Sequence, residues 1–212
     1  TALAELVQSQ ALVAELNHRV KNILAVIASM AAQMMRRSSS VKEFGEAFIG
    51  RIDGLAKTHE MLSHSNWSDV TLHELIAGEL KAFVADGGRA TVAGPDVHLL
   101  PQSVTTLGAI IHELSTNAVK YGALANADGR LEITWRLEDL DGTRHIVICW
   151  REGGGPPVQA PLRKGFGTEF VERSVDYEFG GTATLEYRNE GLVATLILPA
   201  NEVMHLEVAH AT

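Results

Sequence analysis

The chain has 212 residues, 46% of them hydrophobic and 21% charged, a balance that excludes a disordered or fibrous protein and fits one or two globular domains. Eighteen Lys and Arg against 26 Asp and Glu leave a formal charge of −8, which argues against broad electrostatic binding to nucleic acid or an anionic membrane. The acidity is uneven. Residues 1–68 hold seven basic and six acidic side chains, so all of the excess falls in residues 69–212, a first sign of two modules.

From Leu3 to Met35 there is no Gly or Pro, and apolar residues recur every seven positions at Leu6, Val13, Val20, Ile27 and Met34. That spacing predicts one face of a long helix that must pack against others. Ser38-Ser39-Ser40 breaks it, and a second helical pattern runs through Phe44, Phe48, Ile52, Leu55, His59 and Leu62 to about Asn66-Trp67-Ser68. Two helices joined by a short polar turn form an antiparallel hairpin, which needs a second copy or another domain to cover its apolar stripe. His18 stands alone in a row of methyl groups, Ala4, Ala11, Ala25 and Ala32. Glu15, Lys21 and Asn22 share its surface. A partly buried structural histidine and an accessible reactive one both fit this pattern. A metal site does not, because no second ligand stands at the right spacing.

The texture changes after Trp67. An amphipathic helix is expected from Thr71 to about Ala85, closed by Gly87-Gly88, with short strands at Arg89–Val92 and Val97–Leu99 around Gly94-Pro95. Pro101 opens a helix through Leu107, Ile110, Ile111, Leu114 and Ala118, ending near Tyr121-Gly122. Two alternating runs, Arg130–Glu138 and Thr143–Trp150, are joined by the hairpin signal Asp141-Gly142. A Gly- and Pro-rich loop leads to a helix near Thr168–Glu178, and a final hairpin pairs Thr182–Tyr187 with Leu192–Leu198 across Asn189-Glu190-Gly191. Helices on one face of a mixed, mostly antiparallel sheet follow from this order, an α+β architecture.

The lone Cys149 excludes an internal disulfide and fits a reducing cytoplasm; in Ile146-Val147-Ile148-Cys149-Trp150 it reads as a small buried strand residue. No signal-peptide pattern opens the chain, and the longest apolar stretch, Ile23 to Ala32, is far short of the ~20 residues a membrane helix needs. The chain already reads as helix at Thr1, so a fragment of a longer protein is expected.

Three clusters carry chemistry. In His112-Glu113-Leu114-Ser115-Thr116-Asn117-Ala118-Val119-Lys120-Tyr121, the side chains of Glu113, Asn117 and Lys120 recur at four and three residues and project from one helical face. Hard oxygen donors beside a cation suit a magnesium–phosphate ligand, although a solvated charged face has the same spacing. A zinc-protease helix is excluded, since the second histidine it needs is Thr116. Trp150-Arg151-Glu152-Gly153-Gly154-Gly155 ends an apolar strand, and Lys164-Gly165-Phe166-Gly167-Thr168 precedes a helix, where glycines let backbone N–H groups approach phosphate. Neither matches a Walker loop or a dinucleotide fingerprint.

Leu16-Asn17-His18-Arg19-Val20-Lys21-Asn22 resembles the phosphoacceptor box of sensor histidine kinases of the HWE subgroup, with Arg19 where better-known kinases carry an acidic residue and Glu15 as a geometric candidate for the base. Taken in order, the later clusters resemble the GHKL (Bergerat-type) ATP-binding fold, with His112, Trp150 and Glu152 in the places that name the subgroup. The resemblance implies a two-helix dimerisation and phosphotransfer hairpin at 1–68, a catalytic ATP-binding domain at 69–205 and a short tail at 206–212. It implies His18 as phosphoacceptor, Asn117 on magnesium, Glu113 polarising or assisting, Lys120 meeting phosphate with Tyr121 beside it, and Glu152 accepting from the adenine amino group. Gly154, Gly165 and Gly167 would shape the pocket and lid, and Thr195 would support adenine. ATP and Mg2+ as cofactors, a response-regulator receiver domain as partner, an N-terminal sensor domain and a homodimer or monomer complete the expectation. A GHKL-fold ATPase or serine kinase, and a non-catalytic docking scaffold, are its rivals.

Overall fold

A computed structural model describes residues 70–84, 88–157 and 166–205, with Val20, Lys21, Leu24, Ile27, Ala28, Ala31, Ala32, Met35, Ser40, Val41, Phe44, Gly45, Phe48, Ile49 and Ile52. The chain forms two compact units, Thr1–Ile52 and Asp53–Thr212. His18, Gly165 and the 206–212 tail lie outside the described residues, as does the expected boundary near residue 68.

In the first unit the described positions are helical on both sides of a bend at Ser40, where the serine run was expected to interrupt the helix. The carbonyl of Ser40 accepts from the Phe44 N–H at 3.0 Å, and the Phe44 and Phe48 rings stack one turn apart at 5.4 Å.

In the second unit, helix α1 (Leu72–Leu80) begins at Thr71 with a capping box. The Thr71 hydroxyl accepts from the Glu74 N–H at 3.2 Å while the Glu74 carboxylate accepts from the Thr71 N–H at 3.0 Å. The Thr71 N–H, and the Thr71 hydroxyl that also donates to Glu74 Oε2 at 3.0 Å, hold the Glu74 carboxyl below its ordinary pKa. Thr71→Ala should cost about 1 kcal/mol of unfolding free energy, read as a lower urea midpoint at unchanged slope. The helix stops at Leu80, short of Ala85, where the Phe83 N–H turns back only three residues to the Leu80 carbonyl.

Strand β1 (Ala90–Ala93) is followed by α2 (Pro101–Lys120), a 3-10 turn (Ala123–Ala125), and strands β2 (Arg130–Leu140) and β3 (Thr143–Gly153). Helix α3 (Phe166–Phe179), strands β4 (Thr182–Arg188) and β5 (Gly191–Pro199), and the short α4 (Ala200–Val203) complete the described order. Val97–Leu99, expected as a strand, makes only isolated bridges, His98 to Thr71 and Leu99 to Met204. Confined between Pro95 and Pro101, it is too short to extend a ladder.

The sheet order is β1-β2-β3-β5-β4; β1 and β2 are parallel, as a connection through α2 requires, and the other pairs are antiparallel. Asp141 (φ 50°) and Gly142 (φ 78°) form the tight turn of the β2–β3 hairpin, beside the cross-strand pair Asp139–Arg144 at 3.0 Å. Leu131, Ile133 and Trp135 of β2, Ile146, Ile148 and Trp150 of β3, and Ala194, Leu196 and Leu198 of β5 are buried at alternate positions. Val104, Leu107, Ile111, Leu114 and Ala118 form the buried stripe of α2. Cys149 departs from the buried role expected of it: alternation puts it half-buried on the sheet face opposite Trp150, in register with Thr195.

Candidate nucleotide site

The inward positions of β3 run Ile146, Ile148, Trp150 and then Glu152, so the core face of this strand ends in a carboxylate that is only 3% exposed. Its Oε1 accepts from the Trp150 indole N–H at 3.0 Å, and its Oε2 accepts from the Ala123 backbone N–H at 2.8 Å. Burial pushes the Glu152 carboxyl above its ordinary pKa, and these two bonds act against that rise. Gly122 makes the Ala123 contact feasible, because a Cβ there would fall on Oε2.

A carboxyl raised in the folded state is ionised first in the unfolded chain as pH rises. The stability that its protonated form supplies is therefore present below the ordinary glutamate range and lost as pH climbs through the raised folded value. Moving from pH 4 to pH 7 should thus destabilise the parent relative to Glu152→Gln. Urea midpoints of both proteins at the two pH values check this, and the opposite ordering would contradict it.

Glu113 is buried on α2, 6% exposed, and its Oε1 accepts from Asn117 Nδ2 at 3.4 Å, one helical turn on. That bond directs the amide nitrogen of Asn117 to Glu113 and leaves its Oδ1 for another partner. Gly167, in the first turn of α3, packs so closely that a Cβ there would fall on Glu113 Oε1 and within 2.8 Å of Asn117 Nδ2. Two oxygen-bearing side chains at one glycine suit magnesium, which takes a few protein oxygens and completes its shell with phosphate and water. Among the described residues no group of three or more His, Cys, Asp and Glu side chains could hold a metal ion by itself.

The glycine-rich end of β3 meets the segment after α2. Gly154, at φ 70°, lies against the Asp128 carbonyl, and a Cβ on Gly155 would strike Ala123. Two arginines brace this segment: Arg89 donates to the carbonyls of Asn126 and Gly129, and Arg130 to those of Ala127, Asp128 and Gly129.

From the three sequence clusters, Glu113 and Asn117, Glu152 with Gly154 and Gly155, and Gly167 therefore converge on the C-terminal half of α2 and the turn that follows. Lys120 is exposed in the last turn of α2 at the spacing that continues the Glu113–Asn117 face, and Tyr121, at its C-cap, is 71% exposed. Thr195 is not brought to this group: in register with Cys149 and Thr184, it lies on the sheet face opposite Glu152. His112 also points elsewhere. Its Nδ1 lies 3.1 Å from Oε2 of the buried Glu79 on α1, and the Phe83 ring meets it edge-on at 5.3 Å. Sequence reasoning missed Glu79, Gly122 and Ala123; the signal for Glu79 was a charged residue inside the apolar stripe Leu72, Leu75, Ile76 and Leu80.

The fold is shared with the solved histidine kinase domain of the Erythrobacter litoralis blue-light activated histidine kinase, at TM-score 0.55 and 16% identity over 85% of each chain. A longer structure of that protein gives 0.57 and 17% identity over 89% of this chain and 62% of its own. Helices packed on a five-stranded mixed sheet, with the asparagine-bearing α2 and the glycine-rich turns at one end, are the α+β fold of GHKL-type histidine kinase catalytic domains. Residues 15–96 match the HWE histidine kinase family. Blue-light-activated histidine kinase 1 of Erythrobacter litoralis is 36% identical over 195 residues, 89% of this chain and 53% of that protein. The blue-light-activated histidine kinase of Brucella anthropi is 32% identical over 186 residues, 87% of this chain and 38% of that protein. The chain belongs to the HWE histidine kinase family. It spans about half, or less, of the length of these curated relatives.

Proposed function

We propose that this chain is the catalytic part of an ATP-dependent protein histidine kinase that phosphorylates His18 and passes the phosphoryl group to an aspartate of a receiver domain. The observation that supports this reading is the Glu113–Asn117–Gly167 contact together with the Glu152–Ala123 contact, oxygen-bearing side chains suited to a metal–phosphate group and a buried carboxylate suited to a base. Residues 1–68 act as the phosphotransfer hairpin and 69–205 as the ATP-binding domain, in a cytoplasmic protein whose sensor domain precedes the hairpin and whose hairpin pairs with a second copy.

In the reaction a neutral imidazole nitrogen of His18 forms a bond to the γ-phosphorus, the bond to the β–γ bridging oxygen breaks, ADP leaves, and the ring gives up its other proton. Phosphoryl transfer asks for positioning and charge neutralisation more than covalent help. Glu152 receives the base, Asn117 and Glu113 hold the metal-bearing phosphates, and Lys120 offsets their charge. Magnesium, when bound, supplies neutralisation of the polyphosphate, which this acidic module needs. Gly154 and Gly167 shape the pocket, the family resemblance assigns the same role to Gly165, and the exposed Tyr121 is available to the nucleotide.

Incubation with γ-labelled ATP tests the reading: an acid-labile phosphoprotein is expected. Acid-stable label would make the protein a serine kinase, and free phosphate alone an ATPase. Nucleotide binding should also require magnesium, with titration in EDTA as the check. Among the described residues no helix is long and apolar enough to cross a membrane.

A further inference from the structure

Trp150 and Glu152 are two residues apart on β3, so both side chains point to the core face, and the indole is 1% exposed. The ring is confined by burial, and its only hydrogen-bond donor is spent on Oε1 of Glu152. On the other oxygen the Ala123 N–H fixes the carboxylate from the α2 side. Gly122 has φ −114° and ψ −151°, backbone that any residue adopts, so glycine is needed here for room rather than for conformation. Glutamate is one methylene longer than aspartate, and the empty space over Gly122 is where that extra reach goes.

An ionised carboxylate offers about four acceptor positions, two to each oxygen, and the protein fills one on each. The remaining pair can take only donors. A neutral ring amino group satisfies one of them, whereas a ring carbonyl would set lone pair against lone pair.

We infer that Trp150 and Gly122 are positioning residues for nucleobase recognition: the indole N–H and the open space over Gly122 hold the Glu152 carboxylate where its free lone pair meets the exocyclic amino group of a purine. The inference rests on the reading of this pocket as a nucleotide site and goes beyond it in assigning these two residues. Neither touches the base; they act through Glu152.

Isothermal titration of the 212-residue chain with ATP and with purine riboside triphosphate, which has hydrogen in place of the adenine amino group, tests it. The parent should bind ATP about tenfold more tightly than the analogue, the factor expected for one hydrogen bond to a charged group. Trp150→Phe, which keeps a ring but loses the N–H, and Gly122→Ala, which keeps the indole, should each bring ATP down to the level of the analogue and leave the analogue unchanged. Equal loss of both ligands, or an undiminished preference for ATP, in either folded variant overturns the assignment. A parent that binds both ligands equally overturns the positioning role and leaves the nucleotide reading intact. A parent that binds neither overturns the nucleotide reading, and the assignment with it.

Discussion

His18→Ala should reduce acid-labile labelling from γ-labelled ATP to background while ATP binding persists. The proposed reaction needs a nitrogen lone pair at the helix surface, and no neighbour in Leu16-Asn17-His18-Arg19-Val20 supplies another. Undiminished labelling in the alanine variant would remove His18 from the proposal. Loss of ATP binding together with labelling would point instead to damage in the second unit.

The second large effect is expected from Gly167→Ala, through the opposite step. Alanine is favoured over glycine inside a helix by roughly 0.5–1 kcal/mol, so the backbone of α3 gains from the change. The added Cβ, however, lands where the Glu113 carboxylate and the Asn117 amide meet, and Glu113 is buried, so its carboxylate must leave its place. Magnesium-dependent ATP affinity should therefore fall about tenfold or more, a loss of at least ~1.4 kcal/mol, with little change in thermal midpoint. Calorimetric titration with scanning calorimetry on the same protein separates the two. Unchanged affinity would show that Glu113 and Asn117 do not act as a unit, and Asn117→Ala should lose affinity by a similar amount.

Much of this arrangement is legible in the sequence. The four-residue step from Glu113 to Asn117 is a helix-surface relation, and Asp141-Gly142 encodes a tight turn wherever it occurs between alternating runs. Local chemistry of that kind is written in neighbouring residues. The contact between Gly122 and Glu152 is not, because it joins segments thirty residues apart and depends on how α2 ends over the sheet. Thr195 shows the same limit from the other side. Its strand could be recognised, but which face it occupies relative to Glu152 depends on the pairing of β5 with β3, and a shift of one residue would exchange the two faces. The place of His112 was similarly hidden: its helix was clear, but its contact with Glu79 depends on which flank of α2 receives α1.

The braced segment between the 3-10 turn and β2 has a consequence for sequence variation. Arg89 and Arg130 grip main-chain oxygens of residues 126–129 and no side chain there, so what they hold is independent of residue identity. Asn126, Ala127 and Asp128 are exposed and should accept broad replacement in a saturation library. Gly129 is the exception, since any Cβ would collide with the Ala123 carbonyl. The border of the proposed nucleotide site is thus insulated from drift at the positions that form it and vulnerable at two arginines and one glycine.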